Sequence, residues 1–173
     1  FTIVSECISP TITLLDSDSP VELGEPMHFV ATVDGTEPFV YTWDFGGPGT
    51  GEGLDTPTPV YTYTAHGSYT VAVTVTNDCG SDAESLPVEV TCTAPEASFT
   101  SDSPVLVGEP LHFTATVEGT EPFVYTWDFG GPGTGEGLDT PTPVFTYTAY
   151  GSFTVTLTVD NGCGSDAFQA QVK

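Results

Sequence analysis

The sequence almost lacks positive charge. Its 173 residues include 1 Lys+Arg against 24 Asp+Glu, for a formal net charge of -23 at pH 7. Because proteins bind phosphate backbones through clustered Lys and Arg, this deficit excludes nucleic acid as a partner. The same charge argues against binding to anionic membrane surfaces. Long apolar runs are also missing, since none approaches the roughly 18 residues of a spanning helix, so we expect no membrane insertion.

An internal repeat organises the chain. The run GTEPFVYTWDFGGPGTGEGLDTPTPV at Gly35–Val60 recurs letter for letter at Gly119–Val144. Extending the comparison from 17–83 onto 101–167 gives roughly 55 identities in about 67 positions, at an offset of about 84 residues. Hydrophobic residues make up 38% of the chain and aromatic residues 12%, enough to form a core in each copy. We therefore predict two copies of one small domain.

Period-two alternation predicts β-strands in each copy. The segment SYTVAVTVT at Ser68–Thr76 places Tyr69, Val71, Val73 and Val75 on one face. The segments 27–33 and 39–45 alternate in the same way, and clusters of Gly, Pro, Asp and Ser separate them. One of these clusters is GGPGTGEG, which we interpret as a turn or a bulge. No helical period of 3.6 residues is sustained. Each copy is predicted to be a β-sandwich of about seven strands, so the fold class is all-β.

The four cysteines form two equivalent pairs. Cys79 and Cys163 occupy matching positions in NDCGSD and NGCGSD, and Cys7 and Cys92 both precede the first strand of their copies. Four cysteines allow three connectivities, and the repeat favours Cys7–Cys79 and Cys92–Cys163. Zinc binding requires clustered ligands such as CxxC, which this sequence lacks. We therefore predict one disulfide per copy and an oxidising, extracellular compartment, either secreted or at the cell surface.

A specific set of motifs resembles a known family. The segment Tyr41–Gly46 (YTWDFG) is followed by VYTY at Val60–Tyr63, GSYTV at Gly67–Val71 and VTVTN at Val73–Asn77, and the second copy repeats this pattern. The pattern is similar to that of the polycystic kidney disease (PKD) domain family. The resemblance implies tandem immunoglobulin-like β-sandwiches in a cell-surface or secreted protein that mediates adhesion, spacing or self-association.

Other candidate sites have simpler structural explanations. Asp44 and Asp128 could bind calcium with neighbouring carboxylates, but an Asp at a strand end also accepts backbone N–H bonds, and we predict no metal site. Trp43 and Trp127 could stack on sugars, but a Trp in such a strand is more often part of the core. His28 and His112 lie out of phase with the apolar face and should face solvent. No arrangement of nucleophile and base is evident, so we expect no enzymatic activity and no cofactor.

The N-terminal segment FTIVSE has the pattern of a strand without a domain of its own. Aligning Cys7 with Cys92 places FTIVSE over LPVEVT at Leu86–Thr91, which we predict to be the last strand of the first copy. This segment is either a stub of a longer array or an arm that adds to a sheet edge of a neighbouring molecule. We favour the arm, which comprises Phe1, Thr2, Ile3, Val4, Ser5 and Glu6.

Together these features predict an arm at 1–6, a first PKD-like domain at 7–91 and a second at 92–173. We interpret the chain as a non-enzymatic subunit of an extracellular or cell-surface filament or array, a homo-oligomer or polymer assembled by β-strand addition. The alternative is an adhesion or spacer module of a larger surface or secreted protein, with glycans or proteins as partners.

Overall fold

The computed structural model describes residues 6–173, which divide into two units. The first unit ends at Thr91 and the second spans Cys92–Lys173. Strands alone provide the regular structure of residues 6–173, in which no helix occurs. The predicted all-β class is therefore confirmed.

The first unit is a sandwich of two four-stranded sheets. One sheet has the order β1-β3-β6-β5 and the other the order β2-β8-β7-β4. All neighbouring strands are antiparallel except β2 and β8, which run parallel. Its strands are β1 (Thr11–Ser17), β2 (Val21–Glu22), β3 (Pro26–Asp34), β4 (Val40–Asp44), β5 (Gly49–Glu52), β6 (Val60–Tyr63), β7 (Gly67–Asn77) and β8 (Gly80–Thr91).

The second unit repeats this architecture with one strand fewer. Its sheets have the orders β12-β13-β10-β9 and β11-β14-β15, so no strand corresponds to β2. Its strands are β9 (Glu96–Ser101), β10 (Pro110–Glu118), β11 (Val124–Asp128), β12 (Gly133–Glu136), β13 (Val144–Tyr147), β14 (Phe153–Asp160) and β15 (Ser165–Val172).

Each core is built from the alternating apolar faces that the sequence indicates. In β7, Val71, Val73 and Val75 are fully buried, while the intervening residues are more exposed. Their counterparts in β14 are equally buried. Stacked aromatic rings extend both cores, as in the pair Phe45–Tyr61, whose ring centroids lie 4.1 Å apart. The predicted core-facing residues of the central strands are confirmed.

The glycine-rich segment GGPGTGEG is only partly a turn. Its second half forms β5, which pairs with β6 so that Gly49 lies opposite Tyr63 and Gly51 lies opposite Tyr61. A Cβ atom at Gly49 would stand 2.6 Å from the Tyr61 ring, and one at Gly51 would stand 2.8 Å from it. Interpreting the whole segment as a turn or a bulge was therefore wrong, because these glycines make room for an aromatic ring that packs across a paired strand.

Candidate functional site

Both predicted disulfides are present, one in each unit. Cys7 pairs with Cys79 and Cys92 pairs with Cys163, with Cα–Cα separations of 5.7 and 5.9 Å. Each bridge ties the segment before the first strand to the hairpin between the last two strands of its unit. These two bridges confirm the prediction of one disulfide per sandwich.

A single asparagine holds the disulfide end of each unit together. The Asn77 amide donates to the carbonyl of Ile8 at 2.8 Å and to that of Thr36 at 2.7 Å, and its oxygen accepts from the backbone N–H groups of Cys79 and Gly80 at 2.9 and 3.1 Å. Asn161 makes three equivalent bonds in the second unit. The family-like motif contains this residue, but the sequence alone does not show that its side chain bridges three segments.

The aspartates after the tryptophans cap their turns. Asp44 accepts the N–H of Gly46 at 2.9 Å through Oδ1, and Asp128 accepts that of Gly130 at the same distance. The structural explanation for these residues is therefore confirmed. The prediction that they hold no metal stays a prediction.

The two histidines face solvent and pair with aspartates. The Nδ1 atom of His28 lies 2.8 Å from Asp18, and that of His112 lies 2.8 Å from Asp102. Burial raises the pKa of Asp18, but hydrogen bonds from the backbone and ring of His28 outweigh this and bring it below its ordinary value. Equivalent bonds from His112 lower the pKa of Asp102. Within residues 6–173, neither imidazole is bonded to a hydroxyl or thiol, so these pairs offer no activated nucleophile.

The tryptophans belong to the cores and not to an open platform. Trp127 is 9% exposed, and Trp43 packs against buried residues of the first unit. Their Nε1 atoms donate to the carbonyls of Thr140 and Thr56 at 3.0 and 2.9 Å. The assignment of both indoles to the cores is confirmed.

One apolar recess stands out on the second unit. It has a volume of about 140 Å³. Its rim includes Leu106 and Tyr150, which are 78% and 91% exposed. No sequence pattern indicates this recess, because three separate segments form it. Its lining consists of Val105, Leu106, Val107, Tyr147, Ala149, Tyr150, Gly151, Phe153 and Lys173.

Nearly all of the predicted arm lies outside the residues that the structure describes. Residues Phe1, Thr2, Ile3, Val4 and Ser5 lie outside the described residues, which begin at Glu6. In the described part of the chain, no helix has the length and apolar character needed to cross a bilayer.

Known structures establish the type of sandwich. Sidekick-1 immunoglobulin domains 1–5 match with a TM-score of 0.55 at 18% identity, covering 94% of this chain and 39% of that one. Titin domains z1z2 in complex with telethonin match with a TM-score of 0.48 at 17% identity, covering 96% of each chain. The likeness to Sidekick-1 shows an immunoglobulin-like fold.

Sequence comparisons establish the family. Polycystin-1 of Homo sapiens is 32% identical over 171 residues, which cover 87% of this chain and 4% of polycystin-1. The family model described as "PKD domain" matches residues 11–90 and 97–173. PKD and immunoglobulin-like domains are typical of extracellular adhesion or structural modules and are typically non-enzymatic. The chain therefore belongs to the PKD domain family and contains two such domains in tandem.

Proposed function

We propose that this chain is a non-enzymatic structural subunit of an extracellular filament or array. Copies associate head to tail when the arm Phe1–Glu6 of one copy adds as a strand to a sheet edge of the next. Strand addition supplies backbone hydrogen bonds and buries alternate side chains, so it needs no positive charge. With 1 Lys+Arg in the chain, nucleic acid is not among the partners that we propose.

One observation carries this proposal. The segment that aligns with the arm, Leu86–Thr91, is the end of β8 in the first unit. There Val88 and Val90 are 4% and 3% exposed. The arm thus has the sequence pattern of a strand with one buried face. Its apolar residues, among them Phe1 and Ile3, are a liability in water unless a partner covers them.

Charge makes this association dependent on salt. A net charge of -23 repels like copies at low ionic strength. At 1 M salt the screening length falls to about 3 Å, which removes most repulsion between exposed carboxylates. Apolar burial and backbone pairing are affected much less by screening, so assembly should increase with salt.

Sedimentation velocity and negative-stain electron microscopy of the unreduced full chain test the proposal. We expect filaments that increase with salt. The variant Phe1→Ser/Ile3→Ser should remain monomeric, while Val4→Ser, on the opposite face of an extended arm, should assemble as the wild type does. Monodisperse wild-type monomers at both low and high salt would contradict the proposal. The chain would then be an adhesion or spacer module, for which glycan binding is the next assay.

A further inference from the structure

We propose that Asn161 is a site of spontaneous deamidation that becomes reactive when the disulfide end of the second unit opens. The reaction converts the side-chain amide to a carboxylate and consumes only water. The chain contains two asparagines, Asn77 and Asn161, and each bridges the disulfide end of its unit. This inference does not depend on self-association, because it concerns one unit of a single chain.

The residue after each asparagine decides whether the reaction proceeds. Asn161 is followed by Gly162, whereas Asn77 is followed by Asp78. Deamidation begins when the backbone nitrogen of the following residue attacks the side-chain amide carbon. Glycine has no Cβ atom, so it allows the close approach and the backbone rotation that this attack needs. The side chain of Asp78 hinders the attack, and its charge opposes loss of the proton from the nitrogen. The second unit therefore carries the reactive asparagine.

The reaction balances without an oxidant or a cofactor. A bond forms between the Gly162 nitrogen and Cγ of Asn161, and the bond from Cγ to Nδ2 breaks. The side-chain nitrogen leaves as ammonia and takes the proton of the Gly162 N–H. A water molecule then opens the resulting cyclic imide at one of its carbonyl carbons. The product at position 161 is aspartate or isoaspartate, either of which adds a negative charge at neutral pH.

In the closed second unit, hydrogen bonds hold the amide group of Asn161. Its Nδ2 donates to the carbonyls of Thr93 and Thr120 at 2.6 and 2.8 Å, and its Oδ1 accepts the N–H of Cys163 at 3.0 Å. Release of ammonia breaks both bonds of Nδ2, and closure of the imide ring moves the amide carbon away from these partners. The closed arrangement therefore opposes deamidation.

The attacking nitrogen is restrained as well. The N–H of Gly162 donates to Oδ1 of Asp160 at 2.9 Å. Loss of the proton breaks this bond and brings a second negative charge next to the carboxylate, which is unfavourable. Asp160 takes the place of Thr76 in the first unit, so the carboxylate accompanies the reactive Asn–Gly pair. Both reacting groups are thus protected while the unit is closed.

The disulfide Cys92–Cys163 keeps this end of the second unit closed. Cys92 directly precedes Thr93, whose carbonyl accepts from the amide, and Cys163 follows two residues after Asn161. The bridge thus ties the accepting segment to the hairpin that carries the asparagine. A bridge with a sequence separation of 71 contributes strongly to stability, so its loss lets these segments separate. Reduction or unfolding therefore frees the Asn161–Gly162 pair to react.

Deamidation makes a temporary opening permanent. An aspartate at position 161 lacks both amide donors and turns a carboxylate oxygen towards the carbonyls of Thr93 and Thr120. These oxygens repel one another and leave buried acceptors without donors. Isoaspartate also lengthens the main chain of the hairpin. The modified second unit therefore does not regain its closed arrangement.

Peptide mapping by mass spectrometry tests the proposal on full-length chains incubated at neutral pH and digested with pepsin in acid. The variant Cys92→Ser/Cys163→Ser should deamidate at Asn161 about tenfold faster or more than the oxidised wild type. Equal rates in the two chains would overturn the protection by the closed end. If Asn161 stays intact even in concentrated urea with a reductant, it is not a deamidation site.

The first unit provides the matched control. The variant Cys7→Ser/Cys79→Ser should deamidate no faster than the wild type, because Asp78 follows Asn77 even when that end opens. Adding Asp78→Gly to this variant creates an Asn–Gly pair in the first unit, and Asn77 should then react about as fast as Asn161 does in Cys92→Ser/Cys163→Ser. A slow Asn77 in this combined variant would show that the following glycine does not set the reactivity.

Asn161→Asp reproduces the aspartate product and tests the consequence. In the oxidised chain, the amides of β14 should exchange about tenfold faster or more than in the wild type, because two hydrogen bonds are lost. Exchange in β7 of the first unit should stay unchanged. Unchanged exchange in β14 would show that the deamidated unit still closes and would overturn the permanent opening.

Discussion

Replacing Asn77 by Ala should destabilise the first unit alone. The substitution removes four hydrogen bonds that join the segment before β1, the loop after β3 and the β7–β8 hairpin. At about 1 kcal/mol net for each bond, their loss costs about 4 kcal/mol. Water reaching this partly exposed site offsets part of the loss, so we expect a net cost of about 2–3 kcal/mol. That is a large fraction of the roughly 5–15 kcal/mol that stabilises a domain.

Native-state hydrogen exchange with mass spectrometry measures this cost in each unit separately. The sequences of β7 and β14 differ, so their peptides report on the two units independently. Asn77→Ala should lower the protection of β7 and leave that of β14 unchanged, whereas Asn161→Ala should do the reverse. Asp78→Ala, at an exposed position beside Asn77, is the surface control and should change the free energy of unfolding by at most about 0.5 kcal/mol.

Two results would refute the reasoning. If Asn77→Ala costs no more than the surface control, the four bonds are fully replaced by water and the asparagine does not hold the segments together. If both units lose protection equally, the effect is not local to the unit that carries the substitution. Asn77→Asp keeps the accepting oxygen but turns a carboxylate oxygen towards the carbonyls of Ile8 and Thr36, so it should not restore the stability that is lost in Asn77→Ala.

Further predictions concern buried hydroxyls, tight backbone approaches and the disulfides. Burial raises the pKa of Tyr63 and of Tyr147 to about 12. The pKa of an unfolded tyrosine is about 10, so both hydroxyls stabilise the fold below about pH 10. This contribution is lost as the pH rises from about 10 to about 12. Absorbance titration of the folded protein should show tyrosines that ionise well above pH 10, and unfolding should return their ionisation to about pH 10. Ionisation of every tyrosine near pH 10 in the folded protein would contradict this prediction. Gly46 and Gly24 have φ values of 68 and 86°, but only at Gly46 would a Cβ meet backbone, at 2.5 Å from the Thr70 oxygen. Gly46→Ala should therefore lower the free energy of unfolding by about 1–3 kcal/mol more than Gly24→Ala does. Equal melting temperatures for the two variants would refute this prediction. Cys79→Ser opens a loop with a sequence separation of 72 and should cost the first unit roughly 4 kcal/mol in urea unfolding. An unchanged midpoint would show that the bridge contributes nothing.

Features that repeat along the chain could be predicted from the sequence. The alternation of Val71, Val73 and Val75 specifies a strand and its buried face, because side chains on a strand point to opposite sides in turn. The duplication specifies two similar units, and matching cysteines then specify which thiols pair. The glycine-rich segment was interpreted incorrectly because glycine favours turns locally, whereas packing of Tyr61 across Gly49 and Gly51 depends on the neighbouring strand.

Features that depend on distant segments were decided only by the tertiary structure. Asn77 bonds to Ile8 and Thr36, which lie 69 and 41 residues away, and no local pattern shows that these carbonyls converge. The recess likewise brings together Leu106, Tyr150 and Lys173. The local sequence around each of them indicates only an ordinary surface residue. Strand register and sheet order bring such groups together, and a shift of one residue would turn every side chain to the other face. Local periodicity therefore determined the strands and the cores, while sheet assembly determined the asparagine bridges and the apolar recess of the second unit.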